Sequence, residues 1–143
     1  MSGDNEDFAG ALIRLSLAVQ HVFTDVSRAH DLTAQQALLM CALIDEPLGM
    51  AGLTDHLHIE KSTLTGLVDR VERRGYVRRT PDSCDRRVVK VDLTPAGRQA
   101  ASEFHDALTK LLSDRLEGLP PKIRQQMRSA IGPVAMAYWQ AVD

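Results

Sequence analysis

The chain has 143 residues, 44% of them hydrophobic and 25% charged, with a net charge of -2: one domain of ordinary globular composition, long enough to bury its own core. Aromatics at 4% disfavour recognition built on stacking single-stranded bases, and the longest apolar run, Ala37 to Ile44, is too short to span a bilayer. The acidic, polar start MSGDNED does not read as a secretory signal, so a cytoplasmic location is expected.

From Phe8, the residues Phe8, Leu12, Leu15, Val19, Val22 and Val26 step by four and three, which predicts a long first helix with a heptad-like apolar stripe. Ile13, Leu17 and Phe23 widen that stripe beyond one seam. Two contact surfaces are therefore expected, the helix's own domain and another subunit. His30, Asp31 and Leu32 form a break, after which Thr33 is a good N-cap with Gln36 at the capping-box position. The second helix is expected to run to about Asp45 and, being almost continuously apolar from Ala37, to be buried at the centre of the domain. Pro47, Leu48 and Gly49 end it in a loop. Ala51 to Leu57 makes a short helix with Leu53 and Leu57 inward, and a tight turn at His58 to Glu60 leads into the next.

That next helix starts at Lys61. Leu64, Leu67, Val68 and Val71 fall at i, i+3, i+4 and i+7, giving one apolar face, while Ser62, Thr63, Thr65, Asp69, Arg70, Arg73 and Arg74 make the other face polar and partly basic. Gly75 supplies the left-handed residue that commonly stops a helix. Tyr76 to Thr80 and Val88 to Leu93 are β-prone runs, the second alternating Val89, Val91 and Leu93 against Val88, Lys90 and Asp92. Between them Pro81 to Asp85 form a turn, with Arg86 and Arg87 on its far shoulder. A polar-faced helix followed by an arginine-tipped hairpin is the layout of a winged helix-turn-helix, in which one element enters a major groove and the other reaches a minor groove.

Thr94 and Pro95 open the following helix as cap and first helical residue. It is expected to continue to about Leu119 with Phe104, Leu108, Leu111, Leu112, Leu116 and Leu119 along one side. At ~38 Å it is longer than a small lobe needs to cover itself. Gly118, Pro120 and Pro121 end it, and a last helix from about Pro121 to Val142 carries Ile123, Met127, Ile131, Val134 and Tyr138, with Trp139 adjacent and a kink expected at Gly132-Pro133. The first and the last two helices are read as a dimerisation region.

Charge is unevenly spread. From Lys61 to Lys90 there are nine Lys or Arg against four Asp or Glu, a surplus of five that leaves the remainder at -7. A basic segment in an acidic chain restricts where a polyanion docks. No glycine-rich phosphate loop, G-x-S-x-G or H-E-x-x-H is present, so no enzyme is expected. His56, His58 and Glu60 are too close together to make a metal site alone, and no metal or cofactor is expected. Cys41 lies in the apolar run as a small hydrophobe, whereas Cys84 sits in the hairpin turn beside Arg86 and Arg87.

LVDRVERRGYVRR, followed by DRR and then LTPAG, together with the order of the surrounding helices, resembles the multiple antibiotic resistance regulator (MarR) family along essentially the whole chain. The resemblance implies a mainly α fold with a small β-hairpin wing. A winged helix-turn-helix lobe would occupy about 33–94, and a dimerisation region would be built from about 6–30 and 95–143, within one MarR-type domain spanning 1–143. It implies a homodimer on a pseudo-palindromic operator, usually a repressor that a small molecule or oxidant releases. The family's recognition helix falls on Lys61 to Arg74, and its wing signature on Asp85, Arg86 and Arg87. Arg87 would enter the minor groove with Asp85 holding it, and Arg86 would meet phosphate. Gly66 is a departure, because several members carry there an arginine that contacts bases; base reading then falls on Thr65, Arg70 and the helix start.

The residues support the same assignment independently. Lys61, Ser62 and Thr63 at a helix N-terminus offer charge, hydroxyls and backbone N–H groups to phosphate, Thr65 can touch a thymine methyl, and Arg70 or Arg73 can reach guanine or the backbone. Arg73, Arg74, Arg78 and Arg79 also have a structural alternative, pairing with Asp69, Glu72 or Asp82 around the helix stop. The resemblance further implies an effector cleft where the first, second and fifth helices meet; His21, Leu38, Cys41, Phe104 and Leu108 are its candidate lining, and a small, mostly apolar anion would suit it. Two rival readings are a thiol-based redox regulator acting through Cys84 and a winged helix used for protein contact without DNA.

Overall fold

The computed structural model describes residues 2–142. Its elements are α1 (Ser2–Ala29), α2 (Ala34–Ala42), β1 (Leu48–Gly49), α3 (Met50–Leu57), α4 (Lys61–Arg73), β2 (Val77–Pro81), β3 (Val89–Leu93), α5 (Pro95–Glu117) and α6 (Pro121–Gln140). Residues 1–108 form one unit and 109–143 a second, and α5 begins in the first and ends in the second.

Local chemistry sets most boundaries. Thr33 Oγ1 accepts from Gln36 N at 3.1 Å while Gln36 Oε1 accepts from Thr33 N at 3.2 Å, the reciprocal capping box that starts α2. Gly75, at φ 80°, closes α4 as its composition requires, with Gly75 N donating to Glu72 O and Tyr76 N to Val71 O. Thr94 starts α5: its Oγ1 accepts from Gly97 N at 3.0 Å and donates to Gly75 O. α6 continues through Pro133.

The structure corrects several expectations. α1 begins at Ser2, six residues before Phe8, so the helix extends N-terminal to its apolar stripe. α2 ends at Ala42 and not near Asp45; Leu43 caps it, and Arg98 Nη1 on α5 takes the carbonyl of Ile44 at 3.0 Å. Nor is α2 buried all round: Ala37, Leu39 and Met40 are fully buried, but Leu38 is 46% exposed. The Pro47 to Gly49 loop contains β1, which pairs antiparallel with β3 through Leu48 with Val91 and Gly49 with Lys90. The sheet therefore has three strands in the order β1-β3-β2, and the wing hairpin runs in register from Val77 opposite Leu93 to Pro81 opposite Val89.

The core of the first unit is built from Val22 and Val26 of α1, the buried face of α2, Leu53, the four apolar residues of α4, and Val77, Val91, Leu93, Ala101 and Phe104. Side chains Leu64, Leu67, Val68 and Val71 are all within 1% of complete burial, so the predicted face of α4 is anchored and its other face is left outward. Val22 and Val26 at the C-terminal end of the α1 stripe are buried, whereas Phe8, Ile13, Leu15, Leu17 and Val19 are exposed. In the second unit, considered by itself, Ile123, Ile131, Val134, Tyr138 and Trp139 of α6 are exposed. Among the described residues no helix is long and apolar enough to cross a membrane.

Candidate nucleic-acid interface

The outward face of α4 starts at a helix end with unused donors. Glu60 is the N-cap without a side-chain cap bond, and the first backbone turn closes from Leu64 N to Glu60 O at 2.9 Å. The N–H groups of Lys61, Ser62 and Thr63 therefore lack intrahelical acceptors, at the positive end of the helix dipole and under exposed side chains. Thr65 Oγ1 donates to Lys61 O at 2.9 Å, which fixes its rotamer and leaves its oxygen able to accept. Arg70 is exposed, and its guanidinium lies back along the helix: a Cβ built on Gly66 would stand 3.6 Å from Arg70 Nη1.

The remaining arginines separate by what holds them. Arg73 is exposed, with its Nε on Asp69 O at 3.4 Å. Arg74 is committed to the fold: Nη1 donates to the buried Gln36 Oε1 at 2.9 Å, Nη2 meets Asp31 Oδ2 at 3.3 Å, and the guanidinium lies 5.0 Å from the Tyr76 ring centre. It ties the end of α4 to the cap of α2. Arg79, in the middle of β2, donates from Nη2 to Asp69 Oδ1 at 2.6 Å and from Nη1 to Glu72 Oε1 at 2.7 Å, and its backbone N donates to Glu72 Oε2. Of the pairings expected around the helix stop, those of Arg79 form. Arg78 instead faces Asp92 at 3.8 Å, and Asp82 pairs with Lys90 across the hairpin at 3.6 Å.

At the wing, Asp85 Oδ1 accepts from both Arg87 N at 3.1 Å and Arg87 Nε at 3.3 Å. This short loop-back of a carboxylate onto the chain two residues later orients an arginine whose side chain is 91% exposed. Asp82 N donates to Val88 O and Val88 N to Asp85 O, which closes the turn beneath it. Arg86 is exposed. Val88 and Val89 at the base of the turn are also exposed, so the alternation of β3 holds only at Val91 and Leu93, where the sheet meets the core.

Away from this face, Phe104 of α5 is fully buried edge-on to Phe23, with ring centres 5.1 Å apart, and to His30 at 6.1 Å. Of the other candidate lining residues, His21 and Leu38 are exposed while Cys41 and Leu108 are half-buried. Burial pushes the Cys41 thiol up to about 11, so it stays protonated and unreactive at neutral pH. Cys84 is exposed in the turn, with the Ser83 hydroxyl 4.0 Å from its sulfur. Among the described residues no cluster of His, Cys, Asp and Glu could hold a metal ion.

Comparison with known proteins gives a consistent picture. The MarR family model matches residues 30–88. The chain is 26% identical over 129 residues to the transcriptional regulator PecS of Dickeya dadantii, covering 87% of this chain and 78% of PecS. It is 27% identical over 93 residues to the regulator SarZ of Staphylococcus aureus, of which it spans 63%. Among solved structures, a MarR family protein from Bacillus stearothermophilus superposes with a TM-score of 0.87 at 20% identity, over 96% of this chain and 97% of that one. CouR from Rhodococcus jostii RHA1, solved bound to p-coumaroyl-CoA, superposes at 0.72 with 25% identity, over 92% and 93%. The MarR resemblance read from the sequence is thus borne out, and the fold is that of MarR winged helix proteins.

Proposed function

Taking the chain as a MarR-family transcriptional regulator, we infer that it binds double-stranded DNA in the cytoplasm as a homodimer on a pseudo-palindromic operator. The observation that carries this reading is the pairing of two outward features on one lobe. The start of α4 presents unused backbone donors under Lys61, Ser62 and Thr63, and the hairpin holds an exposed Arg87 in place through Asp85. Phosphate suits the first and a narrow minor groove the second. Thr65, Arg70 and Arg73 supply base or backbone contacts between them, and Arg86 meets phosphate. Arg74 contributes by fixing the end of α4, since its guanidinium is already engaged by Gln36, Asp31 and Tyr76.

The regulator acts as a repressor released by a small, mostly apolar anion. That anion enters a cleft among α1, α2 and α5, for which His21, Leu38, Cys41, Phe104 and Leu108 are the candidate lining. CouR, similar in fold, is solved with a ligand of its own, p-coumaroyl-CoA, which supports effector control as a class. The ligand acts by binding better to a lobe spacing that misfits the operator.

The direct test is retention on random-sequence duplex DNA as salt is raised. Counterion release makes the logarithm of affinity fall linearly with the logarithm of salt concentration, with a slope close to the number of phosphates neutralised. Absence of salt-dependent retention overturns the DNA reading.

A further inference from the structure

We propose that Arg79 of the wing strand is a positioning residue that masks the recognition helix's own carboxylates from DNA. The inference rests on the DNA-binding reading above. α4 carries two acidic residues, Asp69 and Glu72, against the cations Lys61, Arg70 and Arg73. Both carboxylates are substantially open to solvent, 49% and 40% by side chain, so nothing in the core neutralises them. A polyanion laid against this helix would meet them at close range, and like charges juxtaposed in an interface oppose association strongly.

Arg79 answers both at once. One guanidinium nitrogen sits 2.6 Å from Asp69 Oδ1 and another 2.7 Å from Glu72 Oε1, and the Arg79 backbone N donates to the second Glu72 oxygen at 3.1 Å. Short charge-assisted bonds of this kind fix both partners. The donor comes from β2, opposite Val91 in the hairpin register, so the same contact fastens the wing to the helix. Arg79 itself is only 28% exposed by side chain, spent on these carboxylates and not offered outward as Arg87 is at 91%. Its contribution to binding is therefore indirect: it removes repulsion and holds the hairpin against α4.

The test compares variants for binding to labelled random duplex DNA, each first checked for fold by circular dichroism. Arg79→Ala is expected to weaken binding about tenfold or more. The triple variant Asp69→Asn, Glu72→Gln, Arg79→Ala, which removes the exposed charges along with their mask, is expected to recover most of that loss. A residue acting through its own phosphate contact gives a different pattern, with the triple variant as weak as the single and a salt slope lowered by about one. That pattern overturns the proposal, as does undiminished binding by Arg79→Ala. Should Arg79→Ala fail to fold, Asp69→Asn with Glu72→Gln decides the matter. Masking requires this double variant to bind at least as tightly as the parent, and weaker binding overturns the proposal. A parent protein that does not bind duplex DNA at all overturns the DNA-binding reading itself, a result distinct from any of these.

Discussion

Arg87 and Arg74 show how two arginines close in sequence come to have different roles. Arg74 is held by a buried amide, a carboxylate and an aromatic ring. Arg87 is held by Asp85, two residues away, and its side chain is 91% exposed. An ion pair so exposed contributes little to stability, on the order of 0–1 kcal/mol. The arrangement makes sense as preorganisation, because Asp85 restricts the rotamers of a long side chain before any partner arrives. Arg87→Ala is accordingly expected to leave the melting temperature and oligomeric state unchanged and to weaken operator binding by about 1–3 kcal/mol. The loss should be larger for operators with A·T-rich flanks, where a narrow minor groove concentrates negative potential. Thermal melts and fluorescence anisotropy on the same preparations check both halves, and parental affinity for the variant would remove the wing from the mechanism.

Among the elements, what could be read from the sequence followed from the range of the interactions that form each one. The apolar face of α4, its stop at Gly75, the capping box of Thr33 and Gln36, and the Thr94-Pro95 start of α5 all depend on residues a few positions apart, and all are present. β1 escaped notice because two residues carry no periodicity, and only the distant β3 makes them a strand. The tie of Arg74 to Gln36 spans 38 positions and has no local signature either. Gly97 is a third such case. It sits in the first turn of α5, where an added Cβ would stand 1.8 Å from Tyr76 O and 2.7 Å from Tyr76 C, so only glycine lets that turn lie against the Tyr76 backbone. That backbone has little room to yield, being held by Thr94 N on Tyr76 O and Tyr76 N on Val71 O. Gly66 offers the contrast, since its Cβ would meet nothing nearer than the movable Arg70 guanidinium at 3.6 Å. The two helical glycines should therefore respond oppositely to alanine. Gly66→Ala is expected to stabilise by about 0.5–1 kcal/mol through reduced chain entropy, whereas Gly97→Ala is expected to destabilise by about 3 kcal/mol through overpacking against main chain. Denaturant melts of both distinguish these signs, and a stabilised Gly97→Ala would show that the Tyr76 backbone yields freely.

For the whole molecule, the decisive feature is apolar surface that the single chain leaves uncovered. Phe8, Ile13 and Leu17 of α1 are 57%, 61% and 50% exposed, and α6 separately exposes Met136, Tyr138 and Trp139 at half or more. Single exposed apolar residues are ordinary, but repeated ones along a helix mark a surface meant to be covered. A second copy of the chain is the occupant that the proposed function requires, because a palindromic operator is read by two lobes about one helical turn apart. Ile13→Asp together with Leu17→Asp makes the distinction sharp. In a monomer these positions face water, so the charges would cost little stability and leave sedimentation unchanged. In a dimer they would each bury a carboxylate in an apolar interface. Sedimentation velocity is then expected to show dissociation, with a melting temperature that becomes concentration-dependent. Binding to a full operator should fall by orders of magnitude while contact with a half-site persists, since two linked lobes gain affinity that one lobe lacks. A parent chain that sediments as a monomer at all concentrations, or a double variant that binds the full operator undiminished, would break the link between the apolar faces of the helices and the reading of DNA.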